Sequence, residues 1–187
     1  MKIINSTKNL TALNGSLISL DPIVKEDIEK LRIIRNSYVG KNIFKFDQII
    51  SKKQQYEWYN TLNKRYFSYF IVKTKKENKI VGYVHFSQRN ENDIKNNGAE
   101  IGIILQPNIK NFAIPYQTIS LLINYCFLVR RFDFIYGVFN KKNNQAIRFM
   151  NYFGFEISNE VDGFIRKKLD YKHYRNFIED KCKKFLL

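Results

Sequence analysis

The stretch AEIGIILQPNIKNFAIPYQT, residues 99–118, constrains the fold of this chain more than any other segment. It begins as an apolar run that contains a single carboxylate, Glu100, and it passes through Pro107 into a helical pattern. Proline suits the first turn of a helix, so Pro115 marks the start of that helix. The stretch therefore predicts a strand, a short polar turn and a helix N-terminus whose exposed N–H groups are suited to phosphate.

The composition limits the classes of protein to which this chain can belong. Its 187 residues are 44% hydrophobic, which fits one folded domain with a sizeable core. The sequence lacks a run of the ~20 apolar residues needed to cross a membrane, a signal-peptide pattern, and enough cysteines for a disulfide framework. We predict a cytoplasmic protein with a single domain over residues 1–187, an N-terminal extension (1–15), a C-terminal helix (171–187) and no metal site.

The chain is strongly basic, with a formal net charge of +15. Such a charge attracts polyanions, which include nucleic acid, anionic lipid and small phosphorylated ligands. A run of five or six basic residues, typical of a nucleic-acid-binding tail, is absent from the sequence. Solvated surface lysines explain the charge equally well, so both interpretations stay open.

Hydrophobic periodicity predicts an α/β chain with the element order β-α-α-β-β-β-α-β-α-β-α. Ser51 is the predicted N-cap of the second helix, and Asn143 and Gly154 are the predicted caps of the fourth. Residues 89–98 are predicted to form a loop. The predicted strands are 16–20, 66–74, 79–88, 99–105, 132–139 and 163–169, and the predicted helices start near 24, 51, 115, 143 and 171. The C-terminal helix is predicted to pack on its own domain through Tyr174, Phe177, Ile178, Cys182 and Phe185.

Two motifs resemble those of the GNAT superfamily of N-acetyltransferases. The first is in the register of the family's acetyl-CoA site and consists of Glu100, Pro107, Lys110, Ala113 and Pro115. The second, NNQAIRFMNYFGF at 143–155, is similar to the family's N-x-x-A-I and G-F element. The resemblance extends from about Ser16 to Leu169 and points to the RimJ/RimL-like branch. It implies the GNAT fold, a mixed and mostly antiparallel central sheet flanked by helices, with acetyl-CoA as co-substrate.

The resemblance also implies which residues hold acetyl-CoA. The thioester arm would run along the strand after the acid, and the phosphates would meet the turn and the start of the helix. The implied residues are Ile103, Ile104, Leu105, Lys110, Asn111, Phe112, Ala113, Ile114, Pro115, Tyr116 and Asn143. Ala113 and Pro115 replace small family residues, and Pro115 removes one backbone donor. A degenerate GNAT module that binds without catalysis is therefore an alternative.

The catalytic residues follow from the chemistry of acetyl transfer to an amine. The amine must lose a proton, and Glu100 is the predicted general base, with an ion pair to a nearby Lys or Arg as the alternative role. His85 shares the role if its side chain lies on the same sheet face; otherwise it is structural. The family's acidic tyrosine is replaced by Met150, a predicted core residue. Tyr152 is the predicted substitute acid, with packing as the alternative.

The first two helices resemble the N-terminal region of GNAT enzymes that acetylate nucleotide-linked amino sugars in surface-polysaccharide pathways. The shared marks are the Arg35-Asn36 pair and a Gln-rich aromatic helix. Arginine is suited to bidentate phosphate contacts, so a diphosphate is the predicted ligand of this region. The predicted acceptor-binding residues are Arg32, Arg35, Asn36, Trp58 and His85, and core packing is the alternative for Trp58.

The sequence therefore predicts acetyl-CoA-dependent N-acetylation of a primary amine, most simply that of a nucleotide-linked amino-deoxy sugar, by direct transfer. The alternatives are a protein N-terminal amine, the amine of an aminoacyl-tRNA, and a polyamine, which the positive charge disfavours. The predicted assembly is a monomer or a homodimer.

Overall fold

The computed structural model describes residues 12–41, 43–44, 47–62 and 66–186. Its centre is one eight-stranded sheet with the strand order β1-β2-β3-β4-β5-β6-β8-β7. Only the β5–β6 pair is parallel among the described strands, and the other neighbours are antiparallel. The strands are β1 Leu13–Asn14, β2 Ile18–Pro22, β3 Phe67–Thr74, β4 Lys79–Ser87, β5 Gly98–Leu105, β6 Phe134–Asn140, β7 Glu156–Val161 and β8 Phe164–Asp170.

Helices cover the sheet on both faces, which confirms the predicted α/β architecture, a mixed and mostly antiparallel sheet flanked by helices. They are α1 Ile28–Asn36, α2 Lys52–Thr61, α3 Glu91–Lys95, α4 Ala113–Asn124, α5 Asn144–Tyr152, α6 Tyr171–His173 and α7 Glu179–Lys184. A 3-10 turn, Lys25–Asp27, precedes α1. Two π-helical turns, Tyr125–Val129 and Tyr174–Ile178, extend α4 and join α6 to α7.

Alternation along the strands divides the side chains between two faces. The larger core lies on the face that α4 covers, which we call the α4 face, where Phe70 and Phe86 pack with Ile119 and Leu122. The opposite face, which we call the α1 face, carries a smaller cluster of Leu31, Ile34, Ile71 and Tyr83. Val138 and other apolar side chains of β6–β8 on the α1 face stay exposed. The α1 face is therefore only partly covered among the described residues.

The predicted helix caps are confirmed. The Ser51 hydroxyl accepts the Gln54 N–H at 3.2 Å, and the Asn143 side chain accepts the Ala146 N–H at 3.1 Å. Gly154 follows α5 with a φ of +75°, the left-handed conformation that a glycine C-cap adopts.

Several predicted elements differ from the structure. The predicted loop 89–98 contains the short helix α3, and strands β1 and β7 were not predicted. Phe177 is 67% exposed rather than packed with the rest of its predicted stripe, because the π-helical turn changes the 3.6-residue spacing on which that stripe depends. The predicted residues 1–11 of the N-terminal extension and 63–65 of the second helix lie outside the described residues.

The C-terminal helix packs on its own domain as predicted. The Tyr174 ring stacks on Phe127 with centroids 4.7 Å apart, and its hydroxyl donates to Asn124 at 2.8 Å. Cys182 and Ile178 are buried in the same core. Within the described ranges, none of the helices has the length and hydropathy that crossing a membrane requires.

Candidate active site

The β5–β6 pair opens in the middle of the sheet, and this opening is the most distinctive feature of the fold. The two strands are hydrogen-bonded only from Gly98 to Glu100 on β5, opposite Phe134–Tyr136 on β6. Beyond Glu100, the segment Ile101–Leu105 pairs with β4 on one side. On the β6 side, no strand of the described chain pairs with Ile101–Leu105. Apart from the Leu105 carbonyl, which accepts the Tyr38 hydroxyl, the backbone groups on this side are available to an extended ligand.

Glu100 lies at the apex of this opening, opposite Ser87 on β4 and Tyr136 on β6. Its carboxylate is 20% exposed and forms an ion pair with Arg89, with 3.0 Å between Oε2 and the guanidinium Nε. Burial raises the pKa of Glu100 above its ordinary value, and the Arg89 charge opposes that rise. The predicted ion pair and the predicted base position therefore coexist, since one carboxylate oxygen bonds Arg89 beside the opening.

The pH dependence of the reaction should reflect this pair. A general base works only when it is deprotonated, so kcat/KM should rise with pH through the raised pKa of Glu100. Arg89→Gln removes the charge that lowers that pKa, and we expect the acidic limb of the profile to move to higher pH. A pH–rate profile measures this, with Lys95→Gln, an exposed charge on α3, as the control. An unmoved limb in Arg89→Gln would contradict the assignment of the limb to Glu100.

His85 lies on the same face as Glu100, as its predicted role requires. It pairs with Tyr69 on one side and with Gly102 on the other, and a side chain at Gly102 would approach its Cε1 to 2.2 Å. The Tyr69 ring stacks on the imidazole at 4.8 Å. Burial, reinforced by Arg89, lowers the pKa of His85 to about 3, so the ring is neutral at pH 7. This low basicity makes His85 a poor proton acceptor but leaves it able to hydrogen-bond.

The two ring nitrogens of His85 are buried, and neither has a hydrogen-bond partner in the described part of the chain. Trp58 on α2 packs edge-on against Tyr69, with centroids 4.9 Å apart. Trp58 can therefore pack against Tyr69, as the core alternative predicts, and still lie beside the site. Buried polar groups without partners are rare, which makes the imidazole a candidate contact for a ligand on this face.

The start of α4 lies beyond the end of β5, where the phosphates were predicted to bind. Ala113 is the first residue of α4 and has helical backbone, so the alanine costs no left-handed strain. Its N–H donates to the Asn111 side chain at 2.9 Å, and the Ile114 N–H donates to the Asn111 carbonyl at 3.2 Å. Pro115 has no N–H to donate. Two of the first-turn donors are thus occupied by Asn111, which must move if they are to bind a phosphate.

The side chains around this turn divide between solvent and core. Lys110 and Asn111 are exposed, and Phe112 is 83% exposed. In contrast, Ile114 is buried in the core, and the Tyr116 ring packs on Phe149 at 5.1 Å. Ile114 and Tyr116 can therefore contact acetyl-CoA only through their backbone. The residues present fit a phosphate group through Lys110, and through the helix N-terminus once Asn111 has moved.

Restoring a donor at Pro115 should strengthen this site. Pro115→Ala adds an N–H that points out of the first turn, and a hydrogen bond to a charged group contributes about 1.5–3 kcal/mol. We expect acetyl-CoA to bind about tenfold more tightly, as measured by calorimetry. Pro22→Ala on β2 is the matched control. Equal affinity in Pro115→Ala and wild type would show that the phosphates do not lie at this turn.

The backbone of β5 also has a partner at its far end. The Tyr38 hydroxyl donates to the Leu105 carbonyl, and the Lys41 ammonium lies 4.8 Å from the Tyr38 ring centroid. The predicted cofactor residues Ile103 and Leu105 direct their side chains toward the α4-face core, whereas Ile104 packs with the α1-face cluster. The contacts predicted for these three residues are consequently contacts of their backbone.

The residues predicted on α5 take separate places. The Asn143 side chain is engaged as the helix cap, and Met150 is buried in the core as predicted. Tyr152 is 42% exposed, and its ring packs on Tyr116 and Phe153. These contacts match the packing alternative, and its role as an acid stays a prediction.

Arg32 and Asn36 hold the chain that precedes α2. Arg32 forms a bidentate pair with Glu29, with both N–O distances 2.8 Å, and donates to the Ile50 carbonyl at 3.0 Å. The Asn36 side chain bonds both backbone groups of Ile50, at 2.9 and 3.0 Å. The Arg35 guanidinium lies 3.5 Å from the Phe44 ring centroid. The structure thus gives Arg32 and Asn36 tethering roles, and their contact with the acceptor stays a prediction.

A polar network beside Glu100 was not predicted from the sequence. Asp93 on α3 is 1% exposed and accepts the Tyr136 hydroxyl at 2.8 Å and the Arg89 N–H at 3.2 Å. The Arg166 guanidinium lies 3.5 Å from the Tyr136 ring centroid. Alternation in FIRKKLD (164–170) would have placed Arg166 on one face, but its neighbours depend on strand order, which the sequence did not define.

A strand pair that opens beside a carboxylate, with a helix N-terminus beyond it, is the arrangement of an enzyme that transfers an acyl group from coenzyme A. A family model described as an acetyltransferase (GNAT) domain matches residues 18–156. The chain therefore belongs to the GNAT acetyltransferases, and acetyl-CoA is its co-substrate. None of the curated proteins matches this chain.

Solved structures share the fold at low sequence identity. Apo FdhC, a nucleotide-linked sugar GNAT, has a TM-score of 0.78 and 21% identity over 94% of this chain and 98% of that one. Spermidine N-acetyltransferase from Vibrio cholerae, in complex with CoA and spermine, has a TM-score of 0.74 and 19% identity over 87% and 100%. A GCN5-related N-acetyltransferase from Brucella melitensis has a TM-score of 0.73 and 16% identity over 94% and 85%. The descriptions of the first two proteins name different acceptors, so the shared fold does not identify the acceptor of this chain.

Proposed function

We propose that this enzyme transfers the acetyl group of acetyl-CoA to the primary amine of a nucleotide-linked amino-deoxy sugar, with Glu100 as general base. The observation that carries the proposal is the position of Glu100 at the apex of the β5–β6 opening. Burial raises the pKa of this carboxyl, which strengthens it as a proton acceptor. The protein acts in the cytoplasm as one domain, alone or as a homodimer.

Different residues at the opening bind acetyl-CoA, accept the proton and orient the acceptor. Acetyl-CoA supplies the activated acetyl group, and the free backbone edge of Ile101–Leu105 together with Lys110 would hold it. A Glu100 carboxylate oxygen accepts the proton of the attacking amine, directly or through a water. His85, neutral and without a partner in the described chain, orients the acceptor by a hydrogen bond.

Direct transfer agrees with the position of the cysteines. Cys126 and Cys182 are both fully buried in the α4-face core. Burial raises the pKa of each thiol, to about 12 for Cys182, so neither is a reactive thiolate at pH 7. An acyl-enzyme on either cysteine would require the core to open, which supports attack by the amine itself.

Charge supports an anionic acceptor over a polyamine. A net charge of +15 repels polycations, and the two carboxylates near the opening, Glu100 and Asp93, each lie within 4.0 Å of an arginine. CoA and a nucleotide are both polyanions, so the positive net charge of the protein attracts both substrates. The likeness to FdhC and the sequence resemblance to nucleotide-sugar enzymes of the RimJ/RimL-like branch point the same way.

Substrate competition tests the proposal. Purified enzyme with acetyl-CoA is given nucleotide-linked amino-deoxy sugars, spermidine, a peptide with a free N-terminus and aminoacyl-tRNA, and kcat/KM is compared. We expect a nucleotide-linked amino sugar to exceed spermidine by at least about 100-fold, which corresponds to about 2.7 kcal/mol. A preference for spermidine would overturn the proposal. Preference for aminoacyl-tRNA, with binding that falls steeply with salt, would favour the tRNA alternative.

A further inference from the structure

A groove crosses the uncovered part of the α1 face on the far side of the opening. Its volume is about 190 Å³, and its walls are Val138, Asn159, Val161, Phe164 and Arg166. Val138 is 45% exposed and Val161 56% exposed. The groove is smaller than the 300–1,000 Å³ typical of a pocket for a whole ligand, so it suits one part of a larger molecule.

Strand register places this groove beside the proposed base. Glu100 lies opposite Tyr136, and Tyr136 lies opposite Lys168 on β8. One step along the same face, Val138 lies opposite Arg166, which in turn pairs with Asn159 on β7. Residues two apart in a strand are separated by roughly 7 Å. The groove therefore begins about one sugar ring away from the apex of the opening.

Arg166 is the cation of this groove, and its neighbours hold it in place. Its guanidinium carbon lies over the Tyr136 ring, 3.5 Å from the centroid. Its Nη2 is 4.0 Å from the buried carboxylate of Asp93, which is longer than a hydrogen bond. Its Nε is buried and has no hydrogen-bond partner among the described residues, so only the two Nη groups can face a ligand. The Arg166 side chain is 32% exposed, and a guanidinium oriented by a ring and a distant carboxylate keeps its Nη donors for a ligand. The planar pair of Nη groups matches phosphate.

We propose that this groove is the subsite for the phosphate-bearing part of the acceptor, with Arg166 as its anchor. The inference rests on the proposed function and extends it to particular residues. Phe164 and Val138 provide apolar walls for the CH faces of the linked sugar or nucleoside.

Direct binding tests the anchor without relying on turnover. CoA is kept at saturation to fill the other anion site, and UDP and GDP are titrated into wild type and Arg166→Gln by calorimetry. We expect wild type to bind at least one of them and Arg166→Gln to bind it at least about tenfold more weakly. Arg175→Gln, which removes the same charge from the C-terminal helix, is the matched control. Val161→Glu places a negative charge in the groove without touching the Asp93 contact, and we expect a similar loss.

Kinetics then separate this inference from the proposed function. We expect Arg166→Gln to raise KM for a nucleotide-linked amino sugar about tenfold or more and to leave KM for the unlinked amino sugar unchanged. If wild type fails to bind either nucleotide, or if Arg166→Gln and Val161→Glu bind as wild type does, the groove assignment is wrong. If UDP or GDP binds through Arg166 but no nucleotide-linked amino sugar is acetylated, the groove stands and the proposed acceptor is wrong. If KM for the nucleotide-linked amino sugar is equal in wild type and Arg166→Gln, the groove assignment is wrong and the proposed acceptor is unaffected.

Discussion

Glu100→Gln should lower kcat by about 10²–10⁴-fold, the range in which a positioned general base contributes. Glutamine keeps the shape of the side chain and its place at the apex of the opening, but it cannot take the proton of the amine. The fold should persist, because Glu100 is partly exposed and its ion pair with Arg89 is not part of either apolar core. Steady-state kinetics with the best acceptor measure the loss, and calorimetry with acetyl-CoA shows that binding remains.

The matched control for this variant is Glu91→Gln. Glu91 is an exposed carboxylate on α3, close to Asp93 in sequence and outside the proposed site. Its variant should have wild-type kcat, because it changes the same charge without touching the opening. If Glu100→Gln retains kcat within about threefold of wild type at neutral pH, Glu100 is not the base, since even weak base catalysis contributes about 10².

Gln117→Met should destabilise the fold by about 3 kcal/mol, because it leaves two main-chain N–H groups without an acceptor. Gln117 is 2% exposed, and its Oε1 accepts the N–H groups of Leu17 and Ile18 at 2.8 and 3.0 Å. Its Nε2 donates to the Ser16 hydroxyl at 2.8 Å and to the Phe185 carbonyl at 2.6 Å. One amide thus ties β2, α4 and the C-terminal segment together.

Urea denaturation measures this loss of unfolding free energy. Methionine has nearly the volume of glutamine, so the variant removes hydrogen bonds without opening a large cavity. Gln145→Met, on the exposed side of α5, controls for the change of residue type and should unfold as wild type does. A loss below about 1 kcal/mol in Gln117→Met would mean that the N–H groups of Leu17 and Ile18 find other acceptors.

The strand-turn-helix stretch could be predicted because local signals and the fold agree there. β5 begins at Gly98 against a predicted 99, and α4 begins at Ala113, two residues before the predicted Pro115. Ile119, Leu122 and Cys126 are fully buried. The apolar residues whose spacing predicted this helix are therefore the ones that pack in the core. Both the apolar period and the proline signal are local, and tertiary contacts reinforce them.

β7 and α3 could not be predicted because neither has an apolar period. All six residues of β7 are exposed, and a register shift interrupts its pairing between Ile157 and Asn159. It is an edge strand that exists through hydrogen bonds to β8. The five residues of α3 are too few to show a helical period, and its stability comes from the Asn90 cap and from the buried Asp93.

The candidate site was only partly predictable for a related reason. Glu100 and His85 were recognisable as isolated polar residues in apolar strands, and the register places them on one face. Arg89, Asp93 and Arg166 are drawn from a loop, a short helix and a later strand, so their convergence depends on the strand order. The bonds of Arg32 and Asn36 to Ile50 could not be predicted either, because the local sequence carries no sign of them.

The most direct test of the account is acetyl-CoA binding by calorimetry, with free CoA and ATP as anion controls. We predict one site per chain, micromolar affinity and a clear preference for acetyl-CoA over ATP. The preference is expected because the unpaired edge of β5 binds the pantetheine arm, which ATP lacks. Binding equal to that of ATP, or no binding, would contradict the account, since the β5–β6 opening would then hold no acetyl donor for Glu100 to serve.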